Sequence, residues 1–121
     1  MNAVLWWLQG FLCCAYLVHA AVHAFPPAAL RRRLAAENRP RLRLTANVTE
    51  ALGAAGLVLP GLLGVATWLT PVSAAGLFLL MCGAMAFHVS RREHAPATLP
   101  AVLAVGLAFL AYERGIAHPL N

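Results

Sequence analysis

The sequence contains no lysine, and only four of its 121 residues are acidic. Charged residues make up 11% of the chain while 61% is hydrophobic, so mean hydropathy is strongly positive. A soluble domain this small has too much surface per unit volume to hide so much apolar area, which excludes the soluble globular class. At roughly 20 residues per spanning helix, the chain has room for about four membrane spans and no separate soluble domain. Motifs are missing too. No GxSxG, phosphate-binding glycine loop, CxxCH or HExxH occurs, which removes the common hydrolase, nucleotide and c-type haem readings. The three cysteines, Cys13, Cys14 and Cys82, all lie in apolar runs and form no CxxC pair. No disulfide framework or iron–sulfur site is expected, and they read as small apolar fillers.

What the chain does contain is arginine: nine residues, giving a formal net charge of +5. Basic balance is one part of a nucleic-acid signature. Here the arginines sit in short segments between apolar runs, where setting membrane topology is the simpler role and no nucleic-acid partner is expected. The first run lacks a basic leader region and a clean A-x-A site before a polar mature domain, so it reads as a retained span, not a cleaved signal.

The expected fold class is an all-α integral membrane protein, a bundle of four transmembrane helices with a short basic segment between the first two. The spans fall at about 3–24, 46–66, 71–90 and 96–111. Trp6 and Trp7 near the start suit a membrane interface, and Phe25-Pro26-Pro27 stops the first helix. Residues 28–46 carry six arginines against Glu37 alone. Two readings of 28–37 stand there: a short amphipathic helix on anionic headgroups, or a solvated basic loop. In the second span Asn47 or Thr49 is a candidate cap, which puts Glu50 in the first turn, where the helix dipole favours a carboxylate. Pro60 is expected to kink this span at mid-depth. Thr70 reads as the N-cap of the third span and Pro71 as its first residue. Small residues on spans two and three permit close helix approach.

Eight of the nine arginines follow spans one and three, and none follows span two. The positive-inside rule makes those two segments cytoplasmic and puts both termini outside, in a multi-pass protein of the cell (inner or plasma) membrane. His19, His23, Glu50 and His88 then all fall in the cytoplasmic half. Tyr16, His19 and His23 recur at helical spacing and share a face of span one. A hairpin of spans two and three brings Glu50 and His88 to one end at one depth. Ionisable groups inside a membrane segment are costly and usually mark function.

The expectation is therefore a polar cluster at the inner mouth of the bundle. Glu50, His88 and His23 are its candidate acid–base groups, and His19, Tyr16 and Asn47 are candidate substrate contacts. The plainer reading is that Glu50 and the histidines only satisfy one another and set helix register. A third reading takes His19 and His23, at i and i+4, with His88 and Glu50 as a mixed metal-ligand set. That spacing alone is a weak signal, and no metal is assigned. Glu113 and Arg114 sit at the opposite face in structural roles, and His94 and His118 fall in loop or tail.

The run from Glu50 to Pro60, Glu-Ala-Leu-Gly-Ala-Ala-Gly-Leu-Val-Leu-Pro, resembles the signature of the DoxX-like family of small bacterial four-helix membrane proteins. The opening, from Met1 to Gln9, Trp68-Leu69-Thr70-Pro71, Ala86-Phe87-His88 and Arg114 are similar to the family in order and spacing, over roughly residues 1–115. The resemblance maps the motif acid onto Glu50, the span-three histidine onto His88 and the closing arginine onto Arg114. It implies a link to membrane redox and oxidative-stress complexes, since the family takes its name from a subunit associated with thiosulfate–quinone oxidoreduction. One departure matters. Members often show Gly-x-x-Lys at the end of span one, where this chain has Ala20-Ala21-Val22-His23, so an imidazole replaces the lysine.

Three functions are weighed. The first is binding of a lipophilic small molecule, with acid–base chemistry such as isomerisation, cyclisation or hydration. The second is a non-catalytic accessory subunit contacting quinone or a redox partner protein. The third, a small transporter, ranks lowest. Membrane lipid and a homo-oligomer are further expected partners; the cofactor is unassigned.

Overall fold

The computed structural model describes residues 1–120. Helix α1 spans Asn2–Ala24, α2 Ala28–Glu37, α3 Pro40–Leu63, α4 Leu69–Ser90 and α5 His94–Tyr112, and a π-helical turn, Glu113–Ala117, follows. Four of these segments, Asn2–Ala24, Pro40–Leu63, Leu69–Ser90 and His94–Ala117, are long and apolar enough to cross a membrane. At 22–24 residues each they reach about 33–36 Å, enough for a hydrocarbon core of about 30 Å. The protein is a multi-pass membrane protein.

The same pattern of inward residues recurs on all four long helices. Leu5, Gln9, Leu12, Tyr16 and Ala20 are buried on α1; Glu50, Ala54, Leu57 and Pro60 on α3; Thr70, Ala74, Leu77 and Met81 on α4; Ala97, Pro100, Ala104, Leu107 and Leu110 on α5. Spacing of three and four residues draws one narrow stripe along each helix, the seam of a bundle. Helix α1 packs on α3, α3 on α4 and α4 on α5, and α5 closes back on α1. The remaining faces are apolar and open, with Trp7 82%, Leu79 69% and Val105 72% exposed, as suits helices that cross an apolar medium.

Several boundaries differ from the sequence reading. The 28–37 segment is helical, ending on Asn38 in the left-handed conformation, whose N–H bonds Leu34 O. Helix α3 begins at Pro40, six residues before the expected 46, because a proline fits the first turn, where its missing N–H costs nothing. Asn47 and Thr49 are therefore mid-helix and cap nothing; Thr49 Oγ1 donates to Thr45 O. Glu50 lies ten residues beyond the start of α3 and gains little from the dipole, which fades within the first turn. Pro60 is in the last turn of α3, three residues before its end, and not at mid-depth. Thr70 does not cap α4, which starts one residue earlier, and its hydroxyl is buried without a partner.

Two glycines are needed where they stand. Gly64 ends α3 at φ +66°, its N–H bonded to Pro60 O, a conformation that costs other residues strain. A Cβ at Gly56 would overlap the Ser73 side chain, so the glycine sets how closely α3 approaches α4.

Candidate functional site

Near the C-terminal end of α1 the chain places three polar rings on one side. His19 Nδ1–H donates to Glu50 Oε2 of α3 at 2.8 Å. Glu50 is only 4% exposed. A carboxylate buried among apolar helices is costly without a partner, and the imidazole supplies one. One turn on, His23 Nδ1–H donates to His19 O at 2.9 Å, and the two rings lie 4.1 Å apart, tilted by 32°. Because a carbonyl can only accept, that bond fixes the His23 tautomer and leaves Nε2 as a bare acceptor in the neutral ring. Tyr16, one turn before His19, is buried with its hydroxyl unpartnered.

Beside this group an open groove of about 600 Å³ runs between α1 and α3. Its walls are apolar, with Ala20, Ala24, Val48 and Ala51 among them, and its polar groups are His23, Arg43 and Asn47. Glu50 and His19 do not line it. They stand behind its wall, Glu50 next to Ala51 in the chain and His19 against the ring of His23.

His88 is not part of this arrangement. Its Nδ1–H donates to Glu93 Oε2 at 2.9 Å, and among the described residues no ion pair joins it to Glu50. A helical hairpin brings two residues to one end but sets neither their rotation nor their true depth. Counted from the ends of their helices, Glu50 is about 15 Å in and His88 about 3 Å in. The face of α3 that carries Glu50 meets α1, while the last turn of α4 folds onto its own loop.

His88 instead anchors an ion-pair cluster at the α4–α5 turn. Arg91 reaches Glu93 at 3.4 Å and Glu37 at 3.6 Å, and Arg33 of α2 reaches Glu93 at 3.7 Å. The hydrogen bond from His88, with the charges of Arg91 and Arg33, holds the Glu93 carboxyl below the usual glutamate range. Glu37 and Glu93 thus tie α2 to the bundle, helped by the buried Leu34. His94 is the first residue of α5 and not a loop residue.

A third polar group joins Arg114 to a partner that the sequence reading leaves out, Gln9. Arg114, 2% exposed, donates through Nε to Gln9 Oε1 at 2.6 Å and through Nη1 to Asn2 Oδ1 at 2.7 Å. Gln9 Nε2 in turn donates to Leu57 O at 2.6 Å. Arg114 therefore ties α1 and the closing turn together and, through Gln9, reaches α3, which gives its structural role a definite form. The signal was present: Gln9 is the one polar side chain between Ala3 and Cys14. His118 Nδ1–H donates to Glu113 Oε2 at 2.6 Å, so His118 is held against the closing turn.

Among the described residues no group of three or more His, Cys, Asp or Glu side chains is placed to hold a metal ion. The mixed set of His19, His23, His88 and Glu50 is not assembled, since His88 is bonded to Glu93.

A family model described as the DoxX-like family matches residues 7–110. No curated protein and no solved structure matches the chain.

Proposed function

This chain belongs to the DoxX-like family, and from that premise we propose that it binds a lipophilic small molecule in the α1–α3 groove and exchanges a proton with it. The observation that carries the reading is the place of His23. It lines an apolar groove of a size suited to a small molecule, and its ring lies on His19, the partner of the buried Glu50. His23 Nε2 is the ring nitrogen left to meet a ligand, and a histidine exchanges protons near neutral pH. The Glu50–His19 pair positions that ring and sets its field. Such a site suits isomerisation, cyclisation or hydration of an apolar metabolite. His88 has no part in this reading. The arginine distribution supports an orientation with α2 and the α4–α5 turn in the cytoplasm and both termini outside the bacterial inner membrane.

The test begins with purified protein in mild detergent, comparing retained organic compounds by mass spectrometry for the natural chain and Ala51→Phe, which fills the groove. A lipophilic compound is expected with the first and not the second. That compound is then incubated with the natural protein, Glu50→Gln and His23→Gln. Equal retention by the natural chain and Ala51→Phe sinks the binding site; equal turnover by all three proteins sinks the proton chemistry.

A second reading, an accessory subunit of a quinone-linked redox complex, is supported by a small-residue cleft. Gly53, Ser73 and Gly76 line about 240 Å³ between α3 and α4, room for a partner helix to approach closely. A partner protein that co-purifies with the natural chain and is lost in Gly76→Leu is its expected signature; co-purification that survives Gly76→Leu removes it.

A further inference from the structure

We infer that the molecule taken by the α1–α3 groove is a single-chain amphiphile with an oxyanion head, a carboxylate or a phosphate, seated at Arg43. This rests on the groove reading proposed above and names its ligand class. Charge in the groove wall points to this head. Three polar groups line the groove, His23, Arg43 and Asn47, and none is an acid. Arg43 is half-buried in that wall, and among the described residues it has no carboxylate within ion-pair distance. The acids that might answer it are engaged elsewhere. Glu50 is bonded to His19, and Glu37 is paired with Arg33 and Arg91. Arg41, in the first turn of α3, and Arg39, just before it, also lack acidic partners among the described residues and raise the local positive potential.

A half-buried guanidinium in an apolar wall offers a planar fork of donors that matches a carboxylate or phosphate in two parallel bonds. Asn47 stands one turn on along α3 and adds an amide donor. The walls beyond, Ala20, Ala24, Val48 and Ala51, are small and apolar, which suits a hydrocarbon chain. A volume of about 600 Å³ lies in the range of small-molecule pockets, so one chain is the better fit than the paired chains of a bilayer phospholipid.

The experiment compares ligands with one tail and different heads. Purified full-length protein in detergent is titrated with oleate, oleyl phosphate and oleyl alcohol, followed by native mass spectrometry, for the natural chain, Arg43→Gln, Arg43→Lys and Arg32→Gln. A charge-assisted contact is expected to make oleate or oleyl phosphate at least tenfold tighter than the alcohol. Arg43→Gln removes that preference while keeping alcohol affinity, which also shows that the variant is folded. Arg43→Lys keeps part of it, and Arg32→Gln, on the exposed side of α2, keeps all of it. If all three bind equally, the oxyanion head is wrong and lipophilic binding stands. Equal losses in Arg32→Gln and Arg43→Gln overturn the specific seat in favour of a diffuse basic field. Failure of every ligand to bind the natural chain overturns both this inference and the groove reading.

Discussion

His19 and Glu50 meet across the seam between α1 and α3, imidazole Nδ1 to carboxylate Oε2 at 2.8 Å. One partner is 44% exposed and the other 6%, by side chain, so the pair is neither a surface bridge nor a fully buried one. Removing the imidazole leaves the carboxylate facing apolar packing. Breaking a fully buried pair costs about 3–5 kcal/mol; with one partner half in solvent, about 1–2 kcal/mol is expected for His19→Ala, the exposed value being below about 1 kcal/mol. Glu50→Gln keeps a hydrogen-bonding group in place and costs less. Thermal unfolding in detergent of His19→Ala, Glu50→Ala and their double gives the coupling directly. A coupling near zero refutes a working pair.

Glu93 makes the pH prediction. Its carboxyl is held low, chiefly by the His88 hydrogen bond and then by Arg91 and Arg33. A group whose folded pKa is depressed contributes stability that is fully present above its unfolded value, about 4.3, and is lost as pH falls through the folded one. The α4–α5 turn and its tie to α2 are therefore expected to stay closed from neutral pH down to ordinary glutamate titration and to loosen only below it. Hydrogen exchange of amides 91–95, followed from pH 6 to 3, reads this, and Glu93→Gln should exchange fast throughout. Unchanged protection in Glu93→Gln shows that the carboxylate does not hold the turn.

The number of spans and their order are legible in the sequence, because apolar length and 3–4 spacing act locally. The sequence misplaced what depends on rotation. His88 was matched to Glu50 by shared end alone, while nothing local announces that His88 meets Glu93 five residues on. The sequence suggests a first-turn Glu50 because the arginine-rich stretch before residue 46 looks like loop, yet residues from Pro40 on extend α3. His19 was given a lesser role than His88, although it is the residue that Glu50 meets. Gln9 and Arg114, 105 residues apart, find each other only once four helices have closed.

That distant pair yields a stability prediction. Arg114→Ala strips Gln9 Oε1 of its donor in a fully buried position, and a buried polar group left unsatisfied costs about 1–3 kcal/mol. Arg114→Lys keeps the charge but not the fork, so it recovers only part. Replacing both partners by apolar groups removes the unsatisfied atom, so Gln9→Leu with Arg114→Leu is expected to be more stable than Arg114→Leu alone. Melting temperatures in one detergent decide it. A double variant no better than the single one contradicts the network.

The approach of α3 to α4 can be tested at one atom. A Cβ at Gly56 would meet both Oγ and Cβ of Ser73. The hydroxyl can rotate away; the Cβ is fixed to the backbone of α4 and cannot. Gly56→Ala gains helix propensity of about 1 kcal/mol, against an overpacking cost of about 1–3 kcal/mol, so a net loss is expected. If the clash with Ser73 is the cause, Ser73→Gly should restore Gly56→Ala toward the stability of Ser73→Gly alone, and beyond it by the propensity gain. Unfolding curves of the four proteins in a common detergent give the answer. A Gly56→Ala loss that persists in the Ser73→Gly background would place the constraint elsewhere than in this contact.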